Sequence, residues 1–598
     1  MMSFNSFANN FPQGKTSRIS FAVLLIISGA ALLFWRNPDP IINPIIYAED
    51  GVWVGQGLSN GWMNTLIHAR PDYLVVINIL LLLLSTVIST IASGNPLSLL
   101  PEAIAFVSYF FLSAIATLIF FTIKRITNLS FSLAGFLLFI FIPLGITQNE
   151  IIGRILQIGF YMPLLAVMLL FWRDKVTFKL ARLAIDLILF LCAATNPVVM
   201  AVVFIYLIDK FKKFPITLTP IKNTLSLTIP FVILLIYLLP RMGGSGGVRG
   251  SLVESNIIEG LFARPLIYPF AFPWYGNLSN TLSIICSISA FVFFWLAYKR
   301  SANTEARQLI LLTFLALIVY DTATIANRPG LTGLLANYQT TFPDRYFMGL
   351  NALVLFLVTI CVAQFFRAKI GKILCITLGL IAIGVHVIYS EIIFESTPPK
   401  FPIKTALNFS DQICFSMPSK KMGSTSLIQI YPDQPGWLME VPTKYINKAT
   451  CGFLSKSEIG IPGSDYKSSK EPSNQLTLSA PISILLKLPQ KNVHLNLMRV
   501  GILFGTYGRQ NPGDAELRLE GAKGTQFVQR FSLAALEDNK YYYFDVDSME
   551  FTSGNIQSVN GGGVSTWESH GEKNEIYTCM IYIYKNRQKS FTPGCPIS

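Results

Sequence analysis

Two adjacent carboxylates, Glu49 and Asp50, stand in "IIYAEDGVWVGQG" (45–57), a few residues past the first long apolar run of the chain. A carboxylate held in a half-dry setting gains proton affinity and can act as general base toward an incoming hydroxyl or amine. The surrounding loop, 37–72, is too apolar and aromatic for a solvated connector. It reads as interfacial helices at headgroup depth, with Val52, Trp53, Leu58, Trp62 and Leu66 dipping into a bilayer. The acids would then lie at the level of a lipid-linked phosphate. His68 and Arg70 in "IHARPDYL" share this loop and could pair with an acid or with that phosphate. A plainer reading stands beside this one, because Asp and Glu next to a span carry little topogenic weight.

Four further places put charge or aromatic rings where chemistry is possible. In "YQTTFPDRYFMGL" (338–350), Arg345 and Tyr346 are either interfacial anchors or a fork for a phosphate, with Asp344 holding the guanidinium. In "ITQNEIIGRILQIGFYM" (146–162), Glu150 and Arg154 are four residues apart and can meet on one helix face. They form a structural pair, or Arg154 lines a site. Asp321 lies within an apolar run, where an acid is either functional or satisfied locally by Thr322, Thr324 or Arg328. Arg264, with Tyr268, Trp274 and Tyr275 in "FARPLIYPFAFPWYGN" (262–277), offers rings for a sugar or for the membrane interface. "MGGSGGVRG" (242–250) lacks the Gly-Lys-Ser/Thr ending of a nucleotide loop and suits a hinge. The four histidines are scattered without ligand spacing, so no metal or other cofactor is called for.

The elements that must hold these groups are set by hydropathy. The chain has 598 residues, 52% of them hydrophobic and 13% charged, with mean hydropathy +0.50. That composition belongs to a polytopic α-helical membrane protein. About eleven spans are expected, at 19–35, 73–92, 103–123, 131–147, 155–172, 183–208, 224–240, 281–298, 308–327, 346–366 and 371–391. The first follows a basic start but no small-residue cleavage site, so it is expected to stay as an anchor. The net charge of +14 comes from Lys and Arg between spans, as in "DKFKK" (209–213) and "RAKIGK" (367–372), and indicates a bilayer partner, not nucleic acid. These loops are expected in the cytoplasm. With strict alternation, Lys124–Arg125 and 173–182 would fall outside. They return if 73–123 crosses once in net terms and 183–208 is a hairpin broken around "ATNP" (194–197). Both arrangements leave 37–72 on the outer face.

Past 391 the long apolar runs stop, and 392–598 carries short alternating segments at sandwich-like spacing. An exported β-sandwich is expected there. Its Cys414, Cys451, Cys579 and Cys595 permit disulfides, whereas Cys192, Cys286, Cys361 and Cys375 lie in apolar runs. Trp567 and Tyr541–Tyr543 are aromatic platforms or core residues, and the strand order resembles carbohydrate-binding jelly-roll modules.

Taken together, the paired acids of the first outer loop, the Arg-Tyr pair, the many spans and the exported domain resemble the GT-C superfamily of membrane glycosyltransferases, over about residues 19–391. The resemblance implies transfer of a sugar from a polyprenyl-phosphate donor to a glycan, lipid or protein acceptor on the outer face of a plasma membrane. It implies an acid of the first loop as base, direct displacement with inversion, and Arg345 on the donor phosphate. Here the order is Glu-Asp, where Asp-Glu or Asp-Asp is commoner. Neighbouring side chains on a helix diverge by about 100°, so one acid faces the substrate, Asp50 by preference and Glu49 next. A glycolipid or polysaccharide transporter or flippase, and an envelope-assembly scaffold, are the alternatives. No convincing internal halves favour the transporter.

Overall fold

The protein is described by a computed structural model. It describes 15–144, 147–213, 218–241, 257–326 and 344–366 without a break and isolated residues from 335 to 413. The C-terminal part is described at 425–431, 437–446, 469–486, 497–521, 526–546, 551, 553–570, 576–584, 589–592 and 595. Two units result, one of Met1–Ile88 and Leu100–Thr405, the other of Ser89–Leu99 and Ala406–Ser598.

The first unit is helical: α1 (Lys15–Arg36), α2 (Ala48–Asn60), α3 (Trp62–His68), α4 (Val76–Ser93), α5 (Leu100–Ile126), α6 (Leu129–Ile140), α7 (Met162–Arg173), α8 (Lys179–Thr195), α9 (Val198–Lys213), α10 (Leu218–Leu238), α11 (Asn280–Arg300), α12 (Thr304–Ala326) and α13 (Met348–Phe365). Among the described residues seven helices are long and apolar enough to cross a membrane: α1, α4, α5, the stretch Leu156–Arg173 ending in α7, α11, α12 and α13. This is a multi-pass membrane protein. Leu129–Ile140 and Thr224–Leu238 are apolar but shorter, and most of the expected span 371–391 lies outside the described residues.

The expected span 183–208 breaks into two helices. Pro197 has no N–H to donate and disfavours a helical Asn196. Asn196 instead accepts the Val198 N–H on its side-chain oxygen and donates to the Gly159 carbonyl at 3.0 Å. At the far ends, Tyr206 and Lys210 of α9 reach Asp174, just past α7, each at 2.6 Å. So α8 and α9 form an antiparallel hairpin whose turn lies by Gly159. Arg125 and Lys175 both pair with Glu305. The basic residues of 124–125, 173–182 and 209–213 therefore gather at one end of the bundle, as the hairpin arrangement requires.

α4 has span-like composition, and its first turn lies away from that basic end. Asn78, in its first turn, donates to the carbonyls of Ile155 and Leu156, and Ser108 of α5 donates to the adjoining Arg154 carbonyl. α5 runs from this level to the basic end. It does so against α1, where a Cβ on Gly29 would run into the Ser113 hydroxyl. Such close approach of helix backbones uses small residues.

The second unit is β-rich. β4 (Ile482–Ile484), β9 (Ser553–Ser558), β6 (Asp514–Glu520) and β7 (Gln526–Ser532) form an antiparallel sheet in that order. The larger sheet runs β11 (Ile576–Thr578), β10 (Ser565–His570), β5 (Leu497–Gly505), β12 (Met580–Tyr584) and β13 (Lys589–Phe591), with β3 (Ser469–Pro472) on β10 and β8 (Lys540–Asp545) on β5. Leu517, Phe531 and Ile556 of one sheet share a core with Val500, Ile502 and Phe544 of the other. β1 (Thr425–Gln429) and β2 (Leu438–Pro442) pair separately. Cys579 and Cys595 are disulfide-bonded. Cys414 and Cys451 lie outside the described residues.

Candidate active site

Asp50 sits in the first turn of α2, which the chain enters through Ala48 at φ +42°, a left-handed conformation costly for a residue with a Cβ. Strain of this kind concentrates at functional sites. One residue apart, the two acids point differently: Glu49 is half-buried and Asp50 is sealed. Asp50 Oδ2 accepts the Ile155 N–H at 3.1 Å, whereas Oδ1, also buried, has no partner among the described residues.

Beside it Arg154, only 1% exposed, donates to the Ile45 carbonyl at 2.7 Å and lies over the Tyr47 ring. Its backbone turns in through Gly153 at φ +82°, where a Cβ would meet Pro40 at 2.6 Å. Burial pushes the Asp50 carboxyl up most strongly, and the Glu49 charge adds to this. The Ile155 N–H and the Arg154 guanidinium oppose it. The outcome is a pKa of about 7, where a base that must take a proton near neutrality works best.

The segment 148–161 is where the rest of the unit converges. Arg36 donates to the Gln148 side chain and to the Ile140 and Ile142 carbonyls, closing the C-terminus of α6 with a cation. Asn37 donates to Ile152, and Tyr320 of α12 to Phe160. Asn78 and Asn149 are buried with side-chain oxygens that find no donor among the described residues. With Asp50 Oδ1 this makes three sealed acceptors along one segment, and unsatisfied buried acceptors are costly.

The expected ion pair between Glu150 and Arg154 does not form. Glu150 reaches across to Arg345 at 2.9 Å, while Arg154 turns inward to Ile45, because the chain from 152 to 155 is not helical. Arg345 also donates to the Tyr346 hydroxyl at 3.0 Å, and the Tyr346 ring meets Phe160 edge-on. Asp50, Arg154, Arg345 and Tyr346 are thus brought to one segment.

No protein-family model matches this chain, and neither a curated protein nor a solved structure is significantly similar to it. Its chemistry is read from its own geometry.

Other expected residues fall elsewhere. Arg70 pairs with Asp72 and stacks on Tyr73, within electrostatic range of Glu49. His68 is exposed and meets the Asn64 carbonyl of its own helix, so nothing brings it to Asp50. Arg264 is sealed between the rings of Tyr268 and Tyr275 and bonded to Glu259, which makes it a packing residue. Asp321 buries an oxygen without a partner among the described residues; Thr324 donates to Tyr320 instead of to it, and Arg328 lies outside the description. Trp53 does not dip into a bilayer: it is 3% exposed and donates to the Ala69 carbonyl. Gly61 at φ +87° ends α2, and Met63 and Ile67 of α3 carry the exposed apolar surface. Asn78, Asn149 and Arg36 were not singled out in the sequence, although an Asn within an apolar run is itself a signal. In the β-rich unit Trp567 donates to Asn539, and Tyr542 packs on the core.

Proposed function

We propose that the protein is a membrane glycosyltransferase of GT-C type that takes a sugar from a polyprenyl-phosphate donor. The observation that carries this is the Asp50 carboxyl: sealed, with a pKa of about 7, one oxygen fixed by Ile155 and the other without a donor among the described residues. An acceptor hydroxyl or amine donates to Oδ1. As its oxygen or nitrogen bonds to the anomeric carbon and the carbon–oxygen bond to phosphate breaks, the proton passes to Asp50. The negative charge that leaves with the lipid phosphate meets Arg345, whose planar fork suits phosphate oxygens. Attack opposite the leaving group inverts the anomeric centre. Asn78 and Asn149 present further acceptors suited to the hydroxyls of a sugar.

In this reading the basic end of the bundle faces the cytoplasm, and Asp50 and the β-rich unit face outward. The Cys579–Cys595 disulfide suits an oxidising compartment. The test is transfer of labelled sugar from a polyprenyl-phosphate donor by purified protein, with Asp50→Asn and Glu49→Gln in parallel. Full transfer by Asp50→Asn would sink the role given to Asp50, and donor movement between leaflets without transfer would make the protein a flippase.

A further inference from the structure

At the basic end of the bundle, the turn from α11 to α12 carries more positive charge than its one carboxylate can answer. Glu305, the acid of that turn, is already held by Arg125 and Lys175. Lys299, Arg300 and Arg307 are exposed and have no carboxylate partner among the described residues. Aromatic rings hold them instead. The Lys299 ammonium lies 4.6 Å from the centre of the Trp295 ring, and Trp295 stacks on Tyr298 with centroids 6.0 Å apart. The Arg307 guanidinium lies 5.7 Å from the centre of Tyr298, and that of Arg300 lies 4.5 Å from the centre of Phe365. A ring steadies a cation without using its N–H donors. Arg307 gives one of its own to the Ser301 carbonyl at 2.8 Å. The rest of these donors point to an anion.

The surface that leads to the cations says which anion. Ile285, Ile288, Val292 and Trp295 are each more than half exposed, and they share one face of α11 with Lys299. From Ile285 to Trp295 this stripe runs about 15 Å at 1.5 Å per residue. That is about the depth of hydrocarbon in one leaflet, half of a core about 30 Å thick. A soluble phosphate would leave the stripe unused, whereas an acyl chain lies along it with its headgroup at Lys299. A zwitterionic headgroup brings an ammonium of its own toward the three cations. A net anionic one does not.

We propose that the α11–α12 turn binds an anionic phospholipid, its phosphate between Lys299 and Arg307 and one acyl chain along Ile285–Trp295. The site is independent of the chemistry assigned to Asp50.

The test uses the full chain in nanodiscs holding equal fractions of phosphatidylglycerol and phosphatidylethanolamine, followed by detergent extraction and native mass spectrometry. One phosphatidylglycerol should remain per molecule, enriched about tenfold over the ethanolamine lipid. Lys299→Gln should lower the enrichment to about threefold, and Arg307→Gln added to it should bring the two lipids near parity. Lys179→Gln removes an exposed cation of the same end from α8 and should leave the enrichment unchanged. All three side chains are exposed, so these variants keep the fold. Equal retention of both lipids by the wild type, a preference for phosphatidylethanolamine, or an unchanged preference in the double variant would overturn the proposal. So would an equal loss in Lys179→Gln and Lys299→Gln, which would mean a general attraction of the basic end for anionic lipid.

Discussion

Asp50 and Glu259 are both sealed carboxylates beside a buried arginine, and their surroundings differ in one respect. Glu259 Oε1 accepts from Arg264 at 3.2 Å and from the Tyr275 hydroxyl at 2.9 Å, and Oε2 accepts the Tyr338 N–H at 3.1 Å. Asn351 fixes the Arg264 carbonyl at 2.6 Å, and two tyrosine rings flank the guanidinium. Every atom of that carboxylate is occupied by the fold. At Asp50 one oxygen is left over, and the neighbouring arginine spends a donor on a backbone carbonyl. A buried charge that the fold satisfies holds the fold together, whereas one that it leaves unsatisfied lowers stability.

Substitutions can break this contrast. The largest effect is expected from Asp50→Asn, with transfer falling about 10³-fold if Asp50 is the base. The same variant should melt higher than the wild type. The folded pKa, about 7, stands above the ordinary carboxyl value of 3.8, so the folded state binds the extra proton between these values. Stability is therefore lost as pH rises through that window, by on the order of 4 kcal/mol for about three units. Asn removes this dependence, which a pH series of thermal melts will show.

Glu259→Gln should do the reverse. Leaving Arg264 buried against a neutral partner should cost about 3 kcal/mol, read as a lower melting temperature, with transfer per folded molecule unchanged. Arg345→Lys should lower kcat/KM by about 10- to 100-fold, since one ammonium replaces a planar fork. The pH profile of kcat/KM should rise about tenfold per unit below pH 7 and level off above it, because the base must be ionised. The smallest effect belongs to Glu49→Gln. Removing its charge slightly lowers the Asp50 pKa, shifting the midpoint of that profile down and changing plateau transfer by less than about tenfold. A larger loss with Glu49→Gln than with Asp50→Asn would exchange the two roles.

The fold was legible to the extent that hydropathy carries it. Seven of the expected runs return as span-length apolar helices, and the break at Asn196–Pro197 was visible because proline acts locally. In the β-rich part the alternating segments 475–488, 492–504, 514–521, 541–548 and 576–585 hold β4, β5, β6, β8, β11 and β12, while β7, β9 and β10 lie outside them. "QFVQRFS" and "STWESH" carry little apolar alternation, and β-pairing stabilises strands whose own preference is weak. α4 shows the limit from the other side. Its composition is that of a span, while its first turn is placed by hydrogen bonds to carbonyls 77 and 78 residues away.

By itself the sequence determined that this is a multi-pass chain, where most apolar helices begin and end, and that Glu49 and Asp50 stand together outside the first of them. Those features depend on neighbours within a few turns. Only the tertiary structure decided that Asp50 and not Glu49 turns inward, that Glu150 pairs with Arg345 instead of Arg154, and that Arg264 is a packing residue. Each of these depends on which distant backbone groups reach a charge once water is excluded, and no spacing along the chain encodes that.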